Sequence, residues 1–343
     1  MKILGFETTC DETGIALIEF KNKNYFRIID HKLRSQFEVH KKYGGIVPIL
    51  AAREHDKNLP ILFDEIYKKH LNKKDFNYLA LSVGPGLPPS LISGKNFVIN
   101  LAQKLNKKII PINHLIAHFY SVLIEKNKSS IWQKIKNIKF PALGLLVSGG
   151  HTILVYFESL KNIKKLGETL DDALGESLDK SARILGLSYP GGPALEKLAK
   201  KGKPIFSMPK PLISSSNYNF SFSGIKTYFW QLVEEIKKYK KLDEETKANL
   251  AASYQKTVFE TVLIKTRKAY EKFRVKSIIV TGGVAANSYL RKIFRNCFGK
   301  NKIYFPEKTL ATDNGINIAF TSYFFIDKAI DYEKLEVFAN LKI

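Results

Sequence analysis

Three times in this chain an apolar, strand-like run gives way to a polar turn that carries glycine. Lys2–Glu7 leads into Thr8-Thr9-Cys10-Asp11-Glu12-Thr13-Gly14, and alternation resumes over residues 14–20. Ala142–Val147 leads into Ser148-Gly149-Gly150-His151, and Thr152–Phe157 returns as a second strand. Residues 277–280 lead into Thr281-Gly282-Gly283-Val284-Ala285-Ala286-Asn287 and then a helix. Hydrophobic period and turn chemistry support each assignment. A strand–turn–strand unit that recurs within 343 residues predicts two domains or two lobes.

Helical patterns fill the intervals. One covers residues 46–70, with Pro48 near its start and Pro60 expected to break or kink it. A strand over 78–83 ends in the loop 84–90, which opens a helix through 96–105. Long helices are expected over 174–187, 251–273 and 315–329. Strands alternating with helices predict an α/β architecture with helices covering the sheet faces. The charged, irregular stretch 119–140 is placed as the boundary between lobes.

Hydrophobic residues make up 45% of the chain, enough for a sizeable core. No run of 18 apolar residues occurs, so no membrane span is expected, and MKILGFETTC lacks the flanks of a signal peptide. Two cysteines, Cys10 and Cys297, cannot build a disulfide framework, and a reducing cytoplasm is the expected location. The net charge of +23 favours a polyanionic partner, nucleic acid first. Lysine is nevertheless dispersed, and segments 21–27, 126–139 and 237–241 read as exposed basic surface rather than a groove-reading motif.

His114 and His118 follow a strand end at Ile109-Ile110-Pro111. Four residues is about one helical turn, so both imidazoles can leave one face and share a metal ion. One histidine in a core and the other at a helix cap is an equally valid reading. A zinc protease would need a glutamate directly after the first histidine, and Leu115 stands there.

The turn at Ser148-Gly149-Gly150 suits an anion nest, because glycine lets a ligand approach the backbone; it also suits an ordinary hairpin. Three such turns at strand ends favour a nucleotide or phosphate ligand, although no Gly-Lys-Ser/Thr triplet marks a P-loop. Asp11 and Glu12 crown the first turn as a base, as metal ligands or as solvated turn residues. Asp171 and Asp172 are assigned to the first turn of a helix, where they complement its dipole. Asp179 reads as ligand-binding or ion-paired, and Asp313 as the N-cap of the last helix.

The ordered series TTCDETG (8–14), YGGIVPILAAREH (43–55), VGPGLPPSLISG (83–94), NHLIAH (113–118), LLVSGGHT (145–152), ETLDDALGESLDKSARILGLSYPGGP (168–193), FSFSGIKT (220–227), TGGVAAN (281–287) and ATDNG (311–315) resembles the tRNA N6-adenosine threonylcarbamoyltransferase family. This is the TsaD group, formerly described as O-sialoglycoprotein endopeptidase, and the resemblance covers nearly the whole chain. It implies the two-lobed actin-like ATPase fold of actin, heat-shock chaperones and sugar kinases, with a nucleotide cleft between lobes. The lobes are expected at 1–120, completed by 315–343, and at 121–314.

The resemblance further implies a divalent metal held by His114, His118 and Asp313, namely iron, with zinc or magnesium as alternatives. It implies substrate contacts at Leu146, Val147, Ser148, Gly149, Gly150, Asp179, Gly192 and Asn287. The implied reaction moves a threonylcarbamoyl group from threonylcarbamoyl-AMP to N6 of adenosine 37 in tRNAs reading codons that begin with A, and releases AMP. Asp11 or Glu12 is assigned as the base. Implied partners are tRNA, a shorter paralogue subunit (TsaB-like) and a small ATPase (TsaE-like). Where the family often has aspartate after the YPGGP element, Glu196 stands here and receives no role. The competing readings are a non-catalytic nucleotide-binding subunit and a metalloprotease.

Overall fold

The computed structural model describes residues 1–70, 76–125, 130–239 and 241–343. The basic segments 126–139 and 237–241 therefore lie partly outside the described residues. In chain order the elements are β1 (Lys2–Glu7), β2 (Glu12–Asn22), β3 (Tyr25–Ser35), α1 (Phe37–Lys41), α2 (Pro48–His70), β4 (Tyr78–Gly84), α3 (Pro88–Leu105), β5 (Ile109–Asn113), α4 (His114–Tyr120) and β6 (Gln133–Lys134). There follow β7 (Ala142–Val147), β8 (Thr152–Phe157), β9 (Ile163–Glu168), α5 (Leu174–Ile184), α6 (Gly191–Ala199), α7 (Ser223–Tyr239), α8 (Glu244–Phe273), β10 (Ser277–Thr281), α9 (Ser288–Phe298), β11 (Ile303–Tyr304) and α10 (Gly315–Ser322).

The chain forms two compact units, one of residues 1–137 and 306–343, the other of residues 138–305. These limits differ from 120 and 314 because β6 pairs with β3 and the segment after 305 returns to the first unit. The first unit's sheet runs β5-β4-β1-β2-β3-β6, and the second unit's runs β11-β10-β7-β8-β9. In each, a three-stranded antiparallel meander is followed by two strands added parallel to its first strand. The recurring motif of the sequence is thus a recurring topology.

Each unit has its own apolar core. In the first, Leu4, Phe6, Ile15 and Leu17 of the β1–β2 hairpin pack with Leu59, Leu62 and Ile66 of α2 and Leu101 and Ala102 of α3. In the second, Leu143, Leu145 and Leu154 pack with Leu174, Leu178, Phe229, Val258 and Phe259. Helix α10 lies against β1 and β2 of the first sheet, at contact distances that only small residues permit. A Cβ on Gly14 would stand 2.6 Å from the Gly315 nitrogen, so this close approach requires glycine.

Several local expectations need correction. Helix α2 runs unbroken through Pro60. Pro60 and Asp56 are both exposed, so the Asp56 carbonyl that loses its helical donor can be hydrated. Helix α3 begins already at Pro88, since proline at the first helical positions sacrifices no bond. Helix α8 begins at Glu244, earlier than expected, because Asp243 caps it through the Thr246 amide. The expected last helix stops at Ser322 and continues as 3₁₀ turns with a non-helical Phe325. Among the described residues no helix is long and apolar enough to cross a membrane.

Candidate metal centre and glycine turns

In the first unit, α4 starts where β5 ends, and Asn113 is the hinge. Its Oδ1 accepts hydrogen bonds from the Leu115 and Ile116 amides, a side-chain N-cap. One turn apart on the helix so started, the rings of His114 and His118 stand edge to face with centroids 4.7 Å apart. Asp313 reaches both: its Oδ1 lies 3.0 Å from His118 Nε2 and 3.6 Å from His114 Nε2. One ligand atom from each of the three falls within 4.8 Å of the others. They line a shallow recess with Glu7, Ala117, Asn314 and Asn317.

Asp313 is not the N-cap of α10. Asn314 is, accepting from the Asn317 amide through Oδ1. Asn314 Nδ2 also donates to the Thr312 carbonyl, and Asn317 Nδ2 to the Leu310 carbonyl. The two asparagines bind the backbone around Asp313, and its carboxylate is turned to the histidines.

Glu7, at the end of β1, joins this cluster through His114, and the sequence reading did not single it out. It is 1% exposed. Its Oε2 accepts from His114 Nδ1 at 2.9 Å, and its Oε1 accepts from the Thr9 amide and the Ser82 hydroxyl. The only sequence signal was a carboxylate ending an otherwise apolar strand. Burial pulls the His114 imidazole down, but the charges of Glu7 and Asp313 and the Glu7 hydrogen bond outweigh it and push its pKa up to about 9.

A carboxylate on Nδ1 fixes the ring and aims Nε2 outward, the support that metal-bound histidines commonly have. Two imidazoles and one carboxylate form a donor set for iron or zinc, so these residues fit a divalent metal. Asp11 and Glu12 lie within the field of Asp313. Burial first and then the charge of Asp313 raise the Asp11 carboxyl. Burial first, then the charges of Asp11 and Asp313, push Glu12 up to about 7 against a lowering hydrogen bond from Ser35.

In the second unit, Leu146 and Val147 are buried strand residues, whereas Gly149 and Gly150 are exposed, with no atom within 4 Å of the point a Cβ would occupy. The Ser148 amide donates to the His151 carbonyl, and Ser148 Oγ accepts from the His151 amide. Gly282 takes φ +92° and packs against the Val147 carbonyl, so the second glycine turn lies against the strand that ends in the first. Helix α5 begins there too, its Gly175 amide donating to the Ser148 carbonyl.

One turn along α5, Asp179 accepts from the Gly192 amide at 2.9 Å. Burial raises the Asp179 carboxyl. On the helix that begins with Gly191, Glu196 holds the Ser288 amide and hydroxyl at the start of α9. Asn287 caps α9 through Oδ1 and donates from Nδ2 to Gln255. The predicted substrate residues of this unit are therefore tied into one chain of contacts. Asn287 already uses both ends of its amide within it. Asp171 and Asp172 are not in the first turn of α5. Asp171 accepts from Ser221, Phe222 and Ser223 at the start of α7, and Asp172 pairs with Lys180 and Lys226.

The family model described as "TsaD: tRNA N6-adenosine threonylcarbamoyltransferase" matches residues 27–320. Proteins named tRNA N6-adenosine threonylcarbamoyltransferase resemble the chain throughout. That of Thermosipho africanus is 40% identical over 348 residues, covering 100% of both chains. That of Persephonella marina is 39% identical over 94% of this chain and 90% of its own. Among solved structures, T. kodakarensis HypF superposes with a TM-score of 0.56 at 15% identity, over 95% of this chain and 47% of HypF. Full-length HypF in a phosphate- and nucleotide-bound form gives 0.57 at 12% identity, over 95% of this chain and 56% of that one. At such identities the likeness concerns the fold, which is of the actin-like ATPase type. With the match of nearly the whole sequence, the chain belongs to the tRNA N6-adenosine threonylcarbamoyltransferase family.

Proposed function

We propose that this enzyme moves a threonylcarbamoyl group from threonylcarbamoyl-AMP to N6 of adenosine 37 in tRNAs that read codons beginning with A, and releases AMP. The observation that carries the reading is the His114–His118–Asp313 cluster, braced by Glu7, in a chain matched end to end by the family. N6 attacks the carbamoyl carbon; the carbon–nitrogen bond forms and the bond to the phosphate oxygen breaks. AMP leaves with the bonding electron pair, and the amine proton passes to a carboxylate.

Asp11 or Glu12 takes that proton. A Glu12 carboxyl near pH 7 is matched to transfer at neutral pH. His114, His118 and Asp313 hold a divalent metal, for which iron is the first choice, with zinc or magnesium as alternatives. Bound there, it supplies a Lewis acid for the carbonyl group and a fixed point for the donor. The open amides of Gly149 and Gly150, with Ser148, receive the phosphate, and Asp179, Gly192 and Asn287 border that region. Adenosine 37 lies in a loop, where a base is presented without opening a duplex.

The three donors distinguish this reading from a non-catalytic subunit, which has no use for them. The protease reading lacks its base, since Leu115 follows His114 and Glu7 is occupied by three donors. Turnover is expected in the cytoplasm, with a shorter paralogue and a small ATPase as partners. The test is reconstitution with threonylcarbamoyl-AMP, unmodified tRNA and those partners, followed by nucleoside mass spectrometry. No threonylcarbamoyladenosine under any combination would overturn the reading.

A further inference from the structure

A second pair of buried histidines lies in the first unit, outside the His114–His118–Asp313 cluster. His40 of α1 and His55 of α2 are both 0% exposed, and Gln36, 1% exposed, stands between them. Their bonds fix the ring protons. His55 Nε2 lies 2.9 Å from the Cys10 carbonyl, which can only accept, so Nε2 carries the hydrogen. His55 Nδ1 then accepts from the Thr13 hydroxyl at 2.8 Å. The Val47 amide donates to His40 Nδ1, so His40 donates from Nε2 to Gln36 Oε1 at 3.0 Å. Gln36 Nε2 donates to the Ala51 carbonyl and lies 3.4 Å from His55 Nδ1.

These bonds converge on one turn. His55 holds the Cys10 carbonyl; the Gln36 backbone amide donates to the Asp11 carbonyl at 3.0 Å; and His55 also holds the Thr13 hydroxyl. Asp11 and Glu12 sit between the two anchors of one imidazole.

We propose that His55, oriented by Gln36 and His40, is a positioning residue that sets the Asp11-Glu12 turn for proton transfer. Its own bonds are within the protein, to the Cys10 carbonyl and the Thr13 hydroxyl. The proposal rests on the assignment of the base to Asp11 or Glu12. Displacing a reacting group by about 1 Å can cost on the order of a hundredfold in rate. Losing the anchors therefore lowers kcat without weakening tRNA binding or metal loading.

The experiment compares His55→Leu, His55→Gln and Thr13→Val with wild type in the reconstituted reaction. It reads kcat, KM for tRNA and metal content. Glutamine can keep a donor near the Nε2 position, leucine keeps neither anchor, and Thr13→Val removes the second anchor with little change in volume. The expected result is a fall in kcat of about tenfold or more for His55→Leu. KM and metal content stay near wild type, and His55→Gln recovers most of the loss. If His55→Leu does not fold, a selective fall in kcat for Thr13→Val carries the same test. Turnover within about twofold of wild type, or losses shared by kcat, KM and metal content that His55→Gln does not relieve, overturn the proposal. Asp11→Asn and Glu12→Gln run in parallel; normal turnover in both sinks the base assignment itself and is distinguishable from a failure of positioning alone.

Discussion

Glu7 accepts three hydrogen bonds in a buried position, one from His114 and two from Thr9 and Ser82. Replacing it with glutamine keeps the volume but sets an amide NH₂ among donors. The expected loss of affinity at His114 is about 10- to 100-fold, the usual cost of an altered outer partner. Competitive titration of zinc or cobalt against a chromophoric chelator measures it, and an unchanged affinity would refute the bracing role. His114 and His118 are legible in the sequence because helical periodicity alone puts them on one face. Asp313 is 195 positions beyond His118, and no local pattern links residues at that separation. Only the resemblance joined them. Glu7 escaped both routes, since its neighbours in the fold, Thr9, Ser82 and His114, are brought to it by strand pairing and helix placement rather than by spacing.

At the level of the element, adjacent residues in the loop before α10 divide two tasks. Asn314 caps the helix and Asp313 faces the histidines. Asn314→Ala should cost about 1 kcal/mol of stability, as cap removal usually does. Asp313→Ala should abolish stoichiometric metal loading with a smaller loss in denaturant midpoint. Equal stability losses in the two variants would contradict the division. Asp171 has a similar capping part at α7. Its partial burial raises the carboxyl, but bonds from Ser221, Phe222 and Ser223 outweigh that and hold it below the usual carboxylate range. The stabilisation is therefore fully present above the ordinary aspartate pKa, about 3.9. It is lost as pH falls through the lower folded value. Denaturant titrations of wild type and Asp171→Asn should differ at neutral pH and converge as pH falls below about 4; a constant gap would exclude the ionised cap. Asp171 and Asp172 were expected in the first turn of a helix; only Asp171 serves a helix start, that of α7, and Asp172 pairs with Lys180 and Lys226, partners that local sequence does not announce.

Across the whole molecule, duplication is visible in the sequence because each meander opens with the same alternation and polar turn. The return of the C-terminal segment to the first unit is what the resemblance implied, through 315–343, but the positions of the limits, 137 and 306, are not legible, since they depend on contacts between distant segments such as β6 on β3. Composition, by contrast, was legible at once: the chain carries a formal +23. That charge bears on tRNA binding through counterion release, and each phosphate neutralised adds roughly −0.7 to −0.9 to the slope of log affinity against log salt. Engaging about five phosphates gives a slope near −4, so a fourfold rise in salt should weaken binding at least about a hundredfold. Because lysine is dispersed over the sequence rather than gathered in one motif, the binding should also be distributed. Single exposed Lys→Ala changes should each reduce the slope by about 1 or less, and none should abolish binding. Fluorescence titrations of labelled tRNA over a salt series measure both quantities. A slope near zero would make the charge a compositional drift with no part in substrate capture. Complete loss from one substitution would instead place recognition in a local site that the sequence does not announce.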